Sequence, residues 1–331
     1  MGNSQGFNTW ATINWYMDAR RSYGAAGYAA ASKLFNKGDV TSMSGKVVAV
    51  TGANRGLGYA AAVEFAKLDA EVHLLCRSKA KADEAAAKIK AETSSDKVFG
   101  HQCDASSFRS INEFSELFCQ EHSQLDVLVN NAGGMPETKQ YSEEKHDSIM
   151  ASALGGVLLL TDRLLPVLRM GKDKGRVINV VSGGGFTVKC PEVDDLDFEK
   201  MPKYDPTLFY ALAKRAQILL TQRWPTKYNE ENVRVFAMHP GWAITEGVNE
   251  ALEGGRLGLS STDGFRTAAQ GVDTTIFLGS TLNENVLDPK TNGELFFDRK
   301  VTTRDYTWAT QTSAEKQEAL WNAAQNYVGL V

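Results

Sequence analysis

The sequence predicts an α/β fold, a mainly parallel, doubly wound seven-stranded sheet with helices on both faces. Three observations carry this expectation. Short β-branched apolar runs at residues 46–50, 71–76, 98–103, 126–129, 176–181, 233–238 and 293–298 alternate with Ala- and Leu-rich stretches of helical period, the pattern of strands buried on both faces and joined by helical crossovers. The first run passes directly into a glycine-rich turn that opens a helix. The run at 176–181 delivers Ser182 at its C-terminal end, the edge where open α/β sheets bind ligands.

The glycine turn reads Thr51-Gly52-Ala53-Asn54-Arg55-Gly56-Leu57-Gly58 and is followed by the helical pattern of Ala60, Ala61, Val63, Phe65 and Leu68. Free N–H groups and the dipole at a helix start favour a phosphate pair, and glycines let the backbone approach it. Glycines also make ordinary strand–helix turns, so the strand–turn–helix context is what points to a nucleotide.

The second strand ends at Arg77-Ser78. An NAD-selective site usually carries an acid there for the ribose hydroxyls, whereas a guanidinium can pair with a 2′-phosphate. NADP(H) is therefore favoured over NAD(H), with Arg55 adding to the charge; the alternative is that Arg77 caps a solvated strand end. The third strand ends at Asp104, whose carboxylate can accept from an adenine amino group or cap the helix starting near Ser106. The fourth stops at Asn130-Asn131-Ala132-Gly133-Gly134.

Tyr210 and Lys214 lie four apart in the helical pattern of Leu208, Phe209, Leu212, Ala216, Leu219 and Leu220, which puts both side chains on one face about 5–6 Å apart. A neighbouring ammonium favours a phenolate, so Tyr210 is a candidate general acid or base toward a carbonyl or hydroxyl oxygen, with Ser182 donating a second hydrogen bond. Tyr and Lys at this spacing are more often a surface pair, and the upstream turns are what favour chemistry.

Composition bounds the rest. The chain has 331 residues, 43% hydrophobic and 23% charged, long enough for a sizeable core and ordinary for a globular protein. A net charge of -4 gives no electrostatic reason to expect nucleic acid. Cys76, Cys103, Cys119 and Cys190 form no C-x-x-C pair and have no histidines at metal-ligand spacing, so reduced structural thiols in a cytoplasmic setting are expected, with no metal site. Residues 1–44 lack a secretory signal. Met1-Gly2 begins like an acylation signal, but Gly6 stands where Ser or Thr is required. Trp10, Trp15, Tyr16, Tyr23 and Tyr28 mix with alanines in one or two amphipathic helices, which pack on the protein itself or leave a peripheral membrane contact open. No uninterrupted apolar run reaches membrane-spanning length. The expected division is a helical extension at 1–44, a main domain at 45–300 and a tail helix at 301–331.

TGANRGLG, NNAG, Ser182, Tyr210-x-x-x-Lys214 and Pro240-Gly241 occur in order at suitable separations, and this set resembles the short-chain dehydrogenase/reductase family over roughly residues 45–299. The resemblance implies a Rossmann-type fold and an NADP(H)-dependent oxidoreductase acting on a small-molecule carbonyl or alcohol. It implies that Tyr210 moves the proton, that Ser182 holds the substrate oxygen, and that Lys214 lowers the Tyr210 pKa and binds the nicotinamide ribose. Gly52, Asn54, Arg55, Gly56 and Leu57 would wrap the phosphates, Arg77 the 2′-phosphate and Asp104 the adenine. Asn130 with Ala132 would serve the central ribose, and Pro240, Gly241, Ala243 and Thr245 the nicotinamide end. One departure is Ser152, at the position of a family Asn that supports a proton relay through the lysine; a hydroxyl has fewer and shorter-reaching hydrogen-bonding groups, which argues for weak or lost activity. The loop at 183–207, with Glu192, Asp194, Asp195 and Asp197, is expected to border the substrate pocket. Residues 246–265 suggest a lid or a surface excursion. Phe186, Tyr204, Trp242 and Leu252 would give an apolar pocket suited to a lipid-like or aromatic compound. The alternative function is an NADP(H)-binding module with little catalysis and a sensing or membrane-associated role. Substrate identity and oligomeric state are not encoded in any of these motifs.

Overall fold

The computed structural model describes residues 5–228, 231–255 and 261–330. The acylation signal at Met1-Gly2 and the middle of the 246–265 stretch lie outside them. Two helices, α1 (Thr9–Ser22) and α2 (Ala25–Ser32), precede the sheet. Strands and crossover helices then alternate: β1 (Val47–Thr51), α3 (Gly56–Lys67), β2 (Glu71–Cys76), α4 (Lys79–Thr93), β3 (Val98–Gln102), α5 (Phe108–Glu121) and β4 (Val127–Asn130). The second half contains α6 (Ser148–Leu168), β5 (Gly175–Val180), α7 (Pro206–Tyr228), β6 (Val233–Met238), α8 (Glu246–Glu253), α9 (Ala268–Ser280), β7 (Leu295–Phe297), β8 (Lys300–Val301) and α10 (Ala314–Tyr327).

The sheet order is β3-β2-β1-β4-β5-β6-β7-β8, parallel from β3 to β7. The order reverses between β1 and β4, opening the crevice that doubly wound sheets use for ligands. An eighth, antiparallel strand joins the seven expected, as Lys300–Val301 folds back on Phe296 and Phe297. Asp298 and Arg299 turn the chain with φ of 47° and 63°, a left-handed pair that twists a tight hairpin correctly. Ion pairs hold these non-glycine residues: Arg266 grips Asp298 through both carboxylate oxygens at 2.6 and 2.9 Å, and Arg299 grips Asp273 at 2.6 and 2.8 Å.

Each face of the sheet has its own core. Phe65, Ala82, Ile89, Ile276 and Phe277 from α3, α4 and α9 cover one side, and Phe114, Phe118, Leu158, Leu164, Leu212 and Leu219 from α5, α6 and α7 cover the other. α10 extends the second core: Trp321 sits edge-on to Trp224 at 5.5 Å, and Tyr327 donates to Asp197 Oδ1 at 2.6 Å. α6 is long and apolar enough by composition to cross a membrane, although Asp162 and Arg163 interrupt its apolar run, and 78% of its most apolar 18-residue stretch is buried inside this fold.

The N-terminal segment is bonded into the body. The Asn8 amide donates to the Thr187 carbonyl at 2.7 Å, Trp242 N donates to Tyr23 O at 2.9 Å, and Ala25 N donates to Gly264 O at 2.8 Å. The buried Arg266 also donates to the carbonyls of Tyr23 and Ser22, at 2.8 and 2.7 Å.

Candidate active site

The C-terminal edge of the sheet collects the residues singled out from the sequence. Val181 follows β5 as an extended residue, and Ser182, at φ -143° and ψ 149°, precedes a 3-10 turn, Gly183–Phe186. α7 begins at Pro206, where Asp205 Oδ1 accepts from the amides of Thr207 and Leu208, each at 3.0 Å. That cap satisfies two otherwise orphaned donors and fixes the start of the helix that brings Tyr210 beside Ser182, whose hydroxyl favours the phenolate.

Tyr210 keeps partial exposure, yet enclosure by surrounding atoms pushes its phenol above the ordinary value, against the lowering effect of the Ser182 hydrogen bond. Lys214 lies on the same face with Nζ 5.7 Å from the Tyr210 ring centre. It donates to the Val180 carbonyl at 2.8 Å and to Gln217 Oε1 at 2.9 Å, and burial lowers its pKa to about 7. The expected depression of the Tyr210 pKa is therefore corrected for this arrangement. Desolvation outweighs the neighbouring amine, whose own charge burial disfavours.

The glycine turn closes as its sequence requires. Gly52 and Gly56 hold φ of 63° and 59°, and a Cβ on Gly58 would lie 2.4 Å from the Gly52 carbonyl oxygen. A Cβ on Gly52 would meet the Ala132 backbone at 3.1 Å, and one on Gly56 would meet Thr245 at 3.4 Å. Gly52, Gly56, Ala132 and Thr245 thus converge at the start of α3, and Leu57 packs nearby at the position where a side chain on Gly271 would also meet Ala243. Backbone approach and a helix N-terminus fit a dinucleotide phosphate pair, with the Thr245 side chain and the Glu246 carboxylate lying beside Gly56. Asn54, partly buried, sits within the turn.

Several residues sit differently from expectation. The Asn130 carboxamide does not face the crevice: Nδ2 donates into the core to Thr161 Oγ1 at 3.2 Å and Asn179 Oδ1 at 2.9 Å, leaving only its backbone at the edge. Asn131, which the sequence reading passed over, ties the two turns together. Its Nδ2 donates to Thr51 O at 2.9 Å, while Thr51 Oγ1 accepts from the amides of Asn131 and Ala132, each at 2.9 Å. Asp104 Oδ1 accepts from Ser106 N at 2.9 Å and Ser106 Oγ at 2.8 Å, a local turn rather than the cap of α5, which belongs to Ser107. Arg77 is exposed and shares with Asp104, Lys79 and Gln102 the wall of a cleft of about 730 Å³. Arg55 is engaged by Glu250 of α8 at 2.5 Å.

Ser152 occupies a π-helical turn, Ala151–Gly156, within α6. Its hydroxyl donates back to the Ile149 carbonyl at 3.1 Å. A buried polar chain backs the site instead: Asn130 donates to Asn179, Asn179 Nδ2 to Thr221 Oγ1 at 2.9 Å, and Thr221 Oγ1 to the carbonyl of Gln217, the residue that receives Lys214.

The substrate end is walled by aromatic rings. Trp242 packs with Trp15 at 6.3 Å, Tyr16 at 6.4 Å, Tyr23 at 6.0 Å and Phe265 at 5.6 Å. Trp15 lies against Gly183, where a Cβ would come 2.6 Å from Nε1, and Gly241, at φ 74°, fits against the Tyr23 carbonyl, 2.7 Å from where its Cβ would sit. Of the other expected pocket residues, Phe186 is buried beneath the 3-10 turn against His239 and Tyr306, and Tyr204 donates to the Pro136 carbonyl at 2.6 Å. The acidic loop is largely structural, since Asp195 accepts from Glu199 N at 2.8 Å and Asp197 from His146 Nδ1 at 3.0 Å.

The short chain dehydrogenase family profile matches residues 46–193. Dehydrogenase/reductase SDR family member 12 of Homo sapiens is 37% identical over 310 residues, covering 93% of this chain and 94% of that protein. This chain belongs to the short-chain dehydrogenase family. Retinol dehydrogenase 12 of Homo sapiens is 31% identical over 290 residues, covering 87% of this chain and 88% of that one. Among solved structures, an uncharacterized protein from Mycobacterium paratuberculosis superposes with a TM-score of 0.68 at 24% identity, covering 89% of this chain and 97% of its own. A Shigella flexneri short chain dehydrogenase complexed with NADP superposes at 0.60 and 20% identity, covering 80% and 100%. The likeness to these two structures is one of fold. The family is one of oxidoreductases that bind a nicotinamide cofactor.

Proposed function

We propose that the protein is an NADP(H)-dependent oxidoreductase interconverting an apolar carbonyl compound and its alcohol, with Tyr210 as acid and base. The observation that carries the reading is the convergence of Ser182, Tyr210 and Lys214: the Ser182 hydroxyl lies near enough to the Tyr210 phenol to lower its pKa, while Lys214 is fixed beside its ring by Val180 and Gln217.

The cofactor supplies the hydride in reduction and accepts it in oxidation. Gly52, Asn54, Gly56 and Leu57 would hold its phosphates, Arg77 with Arg55 the 2′-phosphate and Asp104 the adenine. The backbones of Asn130 and Ala132 would flank the central ribose, with Lys214, Pro240, Gly241, Ala243 and Thr245 at the nicotinamide end. In reduction the Tyr210 Oη–H protonates the substrate oxygen as negative charge develops there, and the Ser182 hydroxyl donates to the same oxygen. A protonated Lys214 lowers the cost of the resulting phenolate. Arg77-Ser78 at the end of β2, in place of the acid that serves NAD(H), favours NADP(H), and the rings of Trp15, Tyr16 and Trp242 favour an apolar substrate, in keeping with the name of the relative retinol dehydrogenase 12.

Turnover of aldehydes and ketones, retinal included, with NADPH tests this. Wild type should reduce one class, and Tyr210→Phe should bind NADPH while losing turnover; equal turnover by the variant refutes the assignment. The inward-turned hydroxyl of Ser152 favours a second reading, an NADP(H)-binding protein of low activity, which predicts NADPH binding without turnover across the panel.

A further inference from the structure

Away from the catalytic edge, two of the chain's five histidines meet one carboxylate and a third contacts one of them. Glu71 and His73 are two apart on β2 and therefore share a face, the face that α5 covers. His122 is the C-cap of α5, and His101 lies on the adjoining β3. His73 Nε2 is 3.0 Å from Glu71 Oε1, His122 Nε2 is 3.6 Å from the same oxygen, and the three ligand atoms all lie within 4.8 Å of one another.

The protons are what make this cluster more than a packed aromatic group. His122 Nδ1 contacts the Phe118 carbonyl at 3.3 Å. A carbonyl only accepts, so Nδ1 carries the hydrogen in this contact, and Nε2 is the ring nitrogen that faces the Glu71 carboxylate. His73 Nδ1 pairs with His101 Nε2 at 2.9 Å, so the two tautomers are linked: when His101 donates, His73 Nε2–H donates to Glu71 at 3.0 Å, and when His73 donates, its Nε2 presents a lone pair to a cation. Two imidazole nitrogens and a carboxylate oxygen thus face one spot, and in the second tautomer of His73 a cation would take the place of the proton between them. The outer contacts are those expected of metal-bound histidine, in which the second ring nitrogen donates to a fixed acceptor and sets the tautomer. Tetrahedral ligands at about 2.0–2.2 Å from an ion stand about 3.3–3.6 Å apart; the two separations from Glu71, 3.0 and 3.6 Å, lie near that spacing, and with all three atoms within 4.8 Å a small movement of the partly exposed His122 closes the set. Phe118 stacks on His122 at 4.2 Å and Phe99 on His73 at 5.5 Å, restricting ring rotation. His73 is 2% exposed, His122 20% and Glu71 36%, so water can reach the open side as a fourth ligand.

We infer that Glu71, His73 and His122 form a divalent transition-metal site, with Zn²⁺ as its occupant and His101 as the residue that orients His73. Two imidazoles and one carboxylate suit this class of ion better than Mg²⁺ or Ca²⁺, which prefer all-oxygen ligands. The site would staple the start of β2 to the C-terminal end of α5, a structural role separate from hydride transfer.

The test uses the full chain without a histidine tag, stripped with a chelator and titrated with Zn²⁺ by calorimetry and with Co²⁺ by visible absorption. The expected result is one saturable equivalent, a four-coordinate Co²⁺ spectrum and a Zn²⁺-dependent rise in Tm. His73→Ala risks misfolding, so the deciding variants are His122→Ala and Glu71→Gln at partly exposed positions, with folding checked by circular dichroism. Each should weaken binding roughly tenfold or more. Absence of a saturable equivalent in wild type overturns the inference, as does wild-type affinity in both variants.

Discussion

Lys214 Nζ donates a 2.8 Å hydrogen bond to the carbonyl oxygen of Val180, the last residue of the strand leading to Ser182. The bond ties the amine on α7 to the β-strand that positions the serine, so the distance between the two catalytic candidates is set by main chain. Lys214→Arg keeps a charge but places a planar fork in a space shaped for a compact ammonium. It should lower kcat by roughly a hundredfold or more, read by steady-state kinetics on any substrate the wild type turns over.

The same lysine makes stability depend on pH. Its folded pKa of about 7 lies below the ordinary value near 10.5. Between these values the unfolded chain holds the proton and the folded chain does not, so stability rises with pH across that window. The limiting slope for one such group is about 1.4 kcal/mol per pH unit. Chemical denaturation of cofactor-free protein from pH 6.5 to 9.5 should give this rise, and Lys214→Met should flatten it.

Cofactor choice is predicted to rest on Arg77. Losing a charge-assisted hydrogen bond costs about 1.5–3 kcal/mol, so Arg77→Ala should weaken NADPH roughly ten- to a hundredfold and leave NADH nearly unchanged, measured by fluorescence titration. Glu250→Gln, which removes the carboxylate holding Arg55, should tighten NADPH modestly.

Two further substitutions probe the departure at Ser152 and the aromatic wall beside Gly183. Ser152→Asn restores a longer donor and acceptor in the π turn and should raise kcat severalfold with unchanged NADPH affinity. Gly183→Ala puts a methyl group 2.6 Å from Trp15 Nε1, which should displace the tryptophan and change KM for bulky substrates more than for small ones.

Much of the site was legible because its spacings are local. Four residues on a helix bring Tyr210 and Lys214 to one face, and glycines in strand–turn–helix context announce the cradle around Gly52 and Gly56. The choice between Asn130 and Asn131 was not legible, because adjacent residues at a strand end point to opposite sides and one step of phase decides which faces the crevice. The two-residue β8 was too short for any alternation to register. The Glu71, His73, His101 and His122 cluster escaped because its members converge only once β2, β3 and α5 are packed, at no spacing a metal motif would flag. The Tyr210 pKa expectation failed because composition along a helix says nothing about how deeply the phenol itself is desolvated.

Arg266 joins the start of the chain to its far end: it holds the carbonyls of Ser22 and Tyr23 on one side and both oxygens of Asp298 on the other. A shortened protein starting at the first strand would keep every nucleotide-turn glycine, yet it would strand a guanidinium without two of its acceptors and strip the indole from beside Gly183. Such a fragment should still retain dinucleotide on an affinity resin while failing to discriminate among substrates, so the opening thirty residues belong in any preparation meant for screening.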